Sequence, residues 1–440
     1  MTEASEQKTT DLVQLVRRSD PVDRIGRLSS INGTVLRASG LAVSIGQACI
    51  LKDPVSDKTW RAEVIGYANQ EAILSPLDPL VGLPINASVH VINQGPMIAC
   101  GPGLVGRVLG ANGHPIDHKG EIGSDTSYRP IYAPSPNPIE RPPITSPIST
   151  GVRIIDTLLT VGHGQRVGIF AAAGVGKSTL LGMLARASNA DRVVFGLVGE
   201  RGRELNEILT ETLGEDGLKR AVTVIATSDQ PAMERVRAAH TATAIAEYFR
   251  DQGQNVLLLL DSVTRFARAQ REIGLSMGEA PARRGFPPSV FAELPRLLER
   301  TGRTQKGSIT AFYTVLVEDE SEDDPIGEEV RSILDGHIVL SRALAETGQF
   351  PAIAPLKSVS RLINRIVAPE KLALVKQVRH WFAKSEEMEF LIKLGEYSGG
   401  QPEIDEALEK TKAIKAYFRQ DLDDTTPIDA SFSRLKEISS

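Results

Sequence analysis

The sequence predicts an α/β fold built on a parallel sheet, preceded by a small β-barrel and followed by a helical domain. Three observations carry this. Strand and helix patterns alternate between residues 151 and 370, with apolar runs at 167–170, 193–198, 222–227, 256–260, 309–314 and 338–340. Such alternation builds a parallel sheet with helices on both faces. Upstream, short β-rich runs are separated by turn pairs such as Asn32-Gly33, Ser39-Gly40 and Ser75-Pro76, the pattern of a small barrel. Downstream of residue 371 the strand pattern stops and apolar residues recur at helical spacing.

Taken in order, residues 1–24 read as an arm. Its amphipathic piece, residues 11–18, is about two turns long and marginal as an isolated helix, so its apolar face needs either the rest of the chain or another protein. Residues 25–95 are the barrel, with partial alternation at 87–92 suited to a half-buried strand. Residues 96–370 form the α/β domain, which opens with a transition rich in glycine and then, at 130–150, in proline, a wrap. Seven prolines fall between Pro130 and Pro147, which forbids a regular helix or central strand. Ile131, Tyr132, Ile139 and Ile144 offer apolar anchors for an ordered, extended wrap. A helix is expected at 233–250. Residues 371–440 form the helical domain, marked by Val375, Val378 and Phe382 and then by Phe390, Leu391 and Leu394. Gly399, Gly400 and Pro402 break it in two, and the last dozen residues are expected to fray.

Bulk composition narrows the function. The 440 residues are 41% hydrophobic and 24% charged, as in ordinary soluble proteins. Net charge is −5 and the isoelectric point about 5.9, so the basic signature of a nucleic-acid binder is missing. Cys49 and Cys100 lie far apart in apolar stretches and read as buried free thiols. The seven histidines have no metal-ligand spacing. Residues 1–10 lack the apolar core of a signal peptide, and the run at 256–260 is too short to span a bilayer. A cytoplasmic protein is expected, meeting a membrane only through a partner.

The stretch Ala171-Ala172-Ala173-Gly174-Val175-Gly176-Lys177-Ser178 organises the α/β domain. It follows an apolar strand pattern and opens a helical one, the context that gives a phosphate-binding loop its meaning. Backbone N–H groups of the loop and helix N-terminus point at phosphates. Gly174 and Gly176 permit close backbone approach. Lys177 is expected to reach the β- and γ-phosphates of ATP, and Ser178 to ligate Mg²⁺. Ala173, Val175 and Thr179 complete the candidate nucleotide contacts. The first position of the pattern is Ala171 rather than glycine.

Three further positions suit phosphoryl transfer. The strand at 256–260 ends in Asp261, a candidate to hold Mg²⁺. Glu200 follows the strand at 193–198 and could polarise a water for attack on the γ-phosphate. A glutamate favoured by a helix dipole is the competing reading, which suits Glu204 and Glu207 better. Arg201, beside Glu200, joins it as a catalytic candidate. Charge on the transferred group calls for a second cation besides Lys177. Arg361 in Ser358-Val359-Ser360-Arg361 is the candidate, although an arginine by residue type alone is most often a surface residue.

Together these motifs resemble the rotary ATP synthase α/β superfamily. The stretches 278–291 (GEAPARRGFPPSVF), 307–318 (GSITAFYTVLVE) and 332–342 (SILDGHIVLSR) are more specific. They resemble the ATPase of type III protein secretion, shared by flagellar export and injectisome systems. The resemblance runs from about residue 25 to about residue 420. It implies a RecA-like ATPase domain between the barrel and the helices, and a homohexamer with ATP sites between subunits. It gives Glu200 the catalytic role, makes Arg361 an arginine finger acting on the neighbour's ATP, and sets Phe350 against adenine. It turns residues 278–291 toward the pore and a central stalk protein. It further implies a stator or regulator protein, chaperone–cargo complexes docking on 371–440, and peripheral association with the inner-membrane export apparatus. One departure is Ala354, where the motif after Phe350 usually has aspartate; a polar anchor near the subunit interface is then missing.

Two other functions compete. A Rho-type RNA translocase shares the ATPase core, but the acidic charge and the lack of an aromatic-basic stripe in 25–95 argue against it. A non-catalytic nucleotide-binding ring subunit would lack the carboxylate that Glu200 supplies.

Overall fold

The computed structural model describes residues 25–92, 95–317, 324–393, 397 and 400–440. The piece expected at 11–18, together with Glu318, Leu394 and Gly399, lies outside the described residues, as do the side chains of Phe390 and Leu391. The chain divides into two compact units between Pro96 and Met97.

The first unit is a closed antiparallel barrel. Its strands are β1 (Ile25–Asn32), β2 (Val35–Ser39), β3 (Ala48–Lys52), β4 (Thr59–Ala68), β5 (Glu71–Pro76) and β6 (Ser88–Val91), in the order β1-β2-β5-β4-β3-β6. Alternate residues point inward, so Leu28, Leu36, Cys49, Leu51, Trp60, Val64, Leu74 and Val89 fill the barrel. Gly33 and Thr34 make the β1–β2 turn after Asn32, with Gly33 at φ +59°. Both cysteines are free and buried. Burial pushes the Cys49 thiol up to about 11 and the Cys100 thiol, in the second unit, up to about 12, so neither is a ready nucleophile.

The second unit opens with β7 (Met97–Cys100), β8 (Val108–Gly110) and β9 (Ser127–Pro130). It continues with β10 (Arg166–Ala171), β11 (Arg192–Glu200), β12 (Ala221–Thr227), β13 (Asn255–Asp261), β14 (Gly302–Arg303), β15 (Ser308–Leu316), β16 (Gly336–Val339) and β17 (Val359–Ser360). The main sheet runs β17-β16-β10-β15-β13-β11-β12-β8. It is parallel from β16 to β8, with β17 antiparallel at one edge and β14 antiparallel on β15. Its central strands are near-continuous aliphatic runs because helices cover both faces. Strand β8 comes from the glycine-rich stretch before the wrap, where no strand was expected; three residues are too few to carry a periodic signal.

The wrap is ordered and pinned by side chains of its own and of the sheet. Arg141 donates to the carbonyls of Thr301 and Glu299, and Arg303 donates to that of Pro143. Ile131 is buried, but Ile139 is 92% exposed and anchors nothing. It sits in a one-turn 3₁₀ segment capped by Asn137, which turns its side chain to solvent.

The helices Pro369–Lys393, Pro402–Phe418 and Ile428–Ser439 belong to the same compact unit as the sheet. Val375, Val378, Phe382 and Phe418 share one apolar cluster with Ile154, Ile155 and the P-loop helix. The fraying expected for the last dozen residues does not occur. Phe432 and Leu435 are buried in that cluster, and Tyr417 donates to the Ser431 carbonyl.

Asp156, in the helix Arg153–Leu158, is fully buried beneath this junction. It accepts from the N–H groups of Thr150 and Gly151 and from the hydroxyls of Thr150 and Ser149. Burial outweighs these donors and pushes the carboxyl up from 3.8 to about 6. The folded chain therefore keeps a proton that the unfolded chain releases in this window. That contribution to stability is full below pH 3.8 and lost as the pH rises through about 6. Between those limits the thermal midpoint of the wild type should fall relative to that of Asp156→Asn, by the equivalent of at most about 3 kcal/mol. Scanning calorimetry of the two proteins across this range checks it.

Candidate active site

Strand β10 delivers the loop. The chain leaves Ala171, turns through Gly174 at φ +79° and Gly176 at φ +88°, and enters the helix Lys177–Ala187. Both glycines occupy the left-handed region that a side chain would strain. Val175 is buried under the turn, while Ala173, Gly174 and Thr179 face solvent and Ser178 is half-buried in the first helical turn. Phe350 closes one side: its ring carbons lie 3.3 Å from where a Cβ on Gly176 would stand. The ring is 38% exposed, leaving a flat apolar face beside the loop.

The carboxyl ends of the neighbouring strands bring the acids. Asp261 ends β13 and Glu200 ends β11, with exposures of 0% and 2%. Strands β11 and β13 pair directly, with Leu197 opposite Asp261, so Glu200 projects beyond it. Lys177 reaches across β15 to both: its Nζ donates to Asp261 Oδ1 at 2.6 Å and lies 3.5 Å from Glu200 Oε1. Thr314 of β15 donates to the same Asp261 Oδ1 at 2.6 Å. On the far side, Arg265 donates to Glu200 Oε2 at 3.0 Å.

Two oxygens are left over. Asp261 Oδ2 and Glu200 Oε1 are buried without a hydrogen-bond partner among the described residues. Buried carboxylate oxygens without donors are costly, and each belongs to a carboxylate that Lys177 contacts. Burial raises the Glu200 carboxyl above its ordinary value; Asp261 and the nearby Glu204 carboxyl add to this, while Lys177 and Arg265 oppose it. The arrangement suits a site that receives an added cation and a water molecule.

With this geometry in place, comparison with known proteins is informative. The model of the ATP synthase alpha/beta family nucleotide-binding domain matches residues 151–360, and that of the T3SS EscN ATPase C-terminal domain matches 367–437. A type 3 secretion system ATPase of Xanthomonas euvesicatoria is 49% identical over 416 residues, 94% of each chain. A flagellum-specific ATP synthase of Bacillus subtilis is 45% identical over 98% of this chain and 99% of its own. The chain belongs to the ATPases of type III secretion and flagellar export. The assembled ATPase EscN of enteropathogenic Escherichia coli superposes with a TM-score of 0.88 at 45% identity, covering 94% of this chain and all of that one. EscN in complex with its central stalk EscO gives 0.86 at 44% identity over the same share.

For this export ATPase the structure gathers Lys177, Ser178, Glu200, Asp261 and Phe350 around the loop. It does not bring Arg361 there. Arg361 follows β17, which pairs with the start of β16, and its N–H donates to the Asp335 carbonyl next to the start of β10. The loop leaves the other end of β10, about 20 Å away for six residues at roughly 3.3 Å each. Arg361 is exposed, its guanidinium donates to the Arg331 carbonyl at 2.9 Å, and no acid among the described residues pairs with it. Arg201 is also turned to solvent, 76% exposed and paired with Glu204 at 3.4 Å. At Ala354 the chain is held without the aspartate. Its N–H donates to the Val339 carbonyl, and its carbonyl accepts from Ser358 Oγ.

Sequence reasoning missed Thr314 and Arg265. Thr314 was legible as the hydroxyl near the end of an apolar strand, and Arg265 as the residue one helical turn after Asp261.

Alanine at Gly176 would adopt left-handed geometry at a cost of roughly 1–2 kcal/mol and set a methyl against Phe350. The free loop would relax away and ATP would have to draw it back. Titration with a fluorescent ATP analogue should show Gly176→Ala binding about tenfold more weakly, or ~1.4 kcal/mol, with the circular dichroism spectrum unchanged.

Proposed function

We propose that the chain hydrolyses ATP with Mg²⁺ in a homohexameric ring, and that hydrolysis releases cargo from its chaperone, unfolds it and delivers it to the export channel. The observation that carries this is the split of the catalytic set between two ends of one sheet. Lys177, Glu200 and Asp261 meet at the loop, while Arg361 stands exposed at the opposite end. A neighbouring subunit is then needed to supply the arginine.

In this reading the loop N–H groups and the positive end of the helix at Lys177 hold the phosphates. Lys177 moves from Asp261 toward the β- and γ-phosphates. Ser178 and Asp261 would hold Mg²⁺; the orphaned, buried Oδ2 of Asp261 fits that demand. When bound, the ion neutralises phosphate charge as the leaving group departs. Glu200 Oε1 accepts a hydrogen bond from the attacking water and orients it. Phe350 stacks on adenine. The neighbour's Arg361 meets charge spreading on the γ-oxygens.

The remaining partners belong to the same proposal. Residues 280–284 are exposed beside Arg271, which packs on Phe286, and Arg283, which packs on Phe291. We assign residues 278–291 to the pore and a central stalk protein, and the helices from 371 onward to chaperone–cargo complexes. A stator or regulator protein completes the assembly. No described helix is long and apolar enough to cross a membrane, so association with the inner-membrane apparatus would run through partners.

Glu200→Gln should lower turnover by about 10²–10⁴-fold while a fluorescent ATP analogue still binds; turnover near wild type would refute the role. Arg361→Ala should lose activity with the fold kept. Mixing it with Lys177→Ala should restore part of the phosphate release, because some interfaces then pair an intact loop with an intact arginine. No recovery in stable mixed rings would refute action between subunits.

A further inference from the structure

Glu200 does not owe its direction to its strand. The pairing of β11 with β12 shifts register between Val198 and Glu200, at Gly199 with φ +69°. Such an irregularity frees a side chain from the pleat and lets it be re-aimed. Something else must then fix the carboxylate, because a catalytic acid misplaced by an ångström loses most of its effect.

Arg265 is placed to do this. It stands in the first turn of the helix Val263–Ser276, which begins directly after Asp261 and Ser262. The helix start is itself fixed: Ser262 Oγ accepts from the Arg265 N–H at 3.3 Å. One guanidinium nitrogen donates to the Gly199 carbonyl and another to Glu200 Oε2 at 3.0 Å. Among the described residues these are the only hydrogen bonds its side chain makes. The fork spans the backbone before Glu200 and one oxygen of its carboxylate. A planar guanidinium holds two such acceptors at a fixed spacing, which an ammonium cannot. The other oxygen, Oε1, is left buried without a hydrogen bond, 3.5 Å from Lys177.

The other cations near Glu200 each have another duty. Lys177 is bound to Asp261, Arg235 behind Gly199 is paired with Glu272 at 2.6 Å, and Arg201 is paired with Glu204. Once phosphates draw Lys177 away, Arg265 is the cation that stays on the carboxylate. We propose that Arg265 is the positioning residue of Glu200: it clamps Oε2 and the adjoining carbonyl so that Oε1 alone faces the attacking water. The inference rests on the reading of Glu200 given above, and Arg265 acts through Glu200 rather than on the nucleotide.

The test is a double-mutant cycle in the full-length protein, at concentrations where activity per subunit no longer rises. Arg265→Ala should lower kcat about 100-fold, with the Kd for a fluorescent ATP analogue within about threefold. In the Glu200→Gln background the same change should alter the residual rate by less than about twofold, because residues acting as a unit are not additive. Arg265→Lys should recover part of kcat, since one donor still reaches Oε2. If alanine disturbs folding in a thermal scan, Arg265→Gln replaces it in the cycle. A rise in Kd that matches the fall in kcat, or equal losses in both backgrounds, overturns the proposal while Glu200 keeps its role. Full turnover by Glu200→Gln overturns both.

Discussion

One ammonium group stands between two buried carboxylates, and the rest of the site depends on it. Asp261 and Glu200 are almost wholly removed from water, where two like charges would ordinarily force one to take up a proton. Lys177 on one side and Arg265 on the other supply the compensating charge. Buried ion pairs of this kind seldom add stability, because desolvation offsets most of the attraction. Apolar residues would pack these strand ends at less cost. The charges make sense as a poised arrangement in which the lysine can be exchanged for other cations without leaving the carboxylates bare.

The surroundings hold that arrangement in place from the side of the C-terminal helices. The Gln420 N–H donates to the Phe350 carbonyl, and its side chain binds the Gly151 carbonyl and the Arg153 N–H. Arg153 in turn pairs with Asp424 at 2.7 Å and packs on the Tyr417 ring. Phe382 and Phe418 stack beneath, next to the helix that follows the phosphate loop. Polar stitches and an apolar cluster thus tie the residue flanking the loop to the helical region. A displacement of either is transmitted through packed side chains rather than through a flexible linker.

How much of this was legible in the sequence follows from the range of each interaction. Aliphatic runs marked six of the nine strands of the main sheet, because burial on both faces leaves a continuous signature. Glu200 and Asp261 could be read because each sits at a strand end, and Lys177 because it closes a glycine-rich loop at a helix start, places where a local pattern and a charge coincide. The edge strand β8 could not, being three residues long and stabilised by its neighbour. The order of C-terminal residues was misjudged for the same reason: Phe432 and Leu435 are held by contacts distant in sequence. Arg265 and Thr314 carried local cues in the sequence, but their partners are defined only once the sheet order is known. Ile139 shows the converse, an apolar residue that the local turn leaves in water.

The placement of the phosphate loop and Arg361 at opposite ends of β10 gives each subunit a direction, like an arrow with a socket and a plug. Two such arrows facing each other about a twofold axis would meet socket to socket, so symmetric pairing leaves both sites unfinished. Only head-to-tail contact, which closes into a ring or runs on as a filament, joins plug to socket. Under the proposed function, an open arc always has one fewer finished site than it has members, and a lone chain has none. Fuel consumption is thereby tied to assembly: subunits waiting in the cell would spend little ATP until a ring closes around its work.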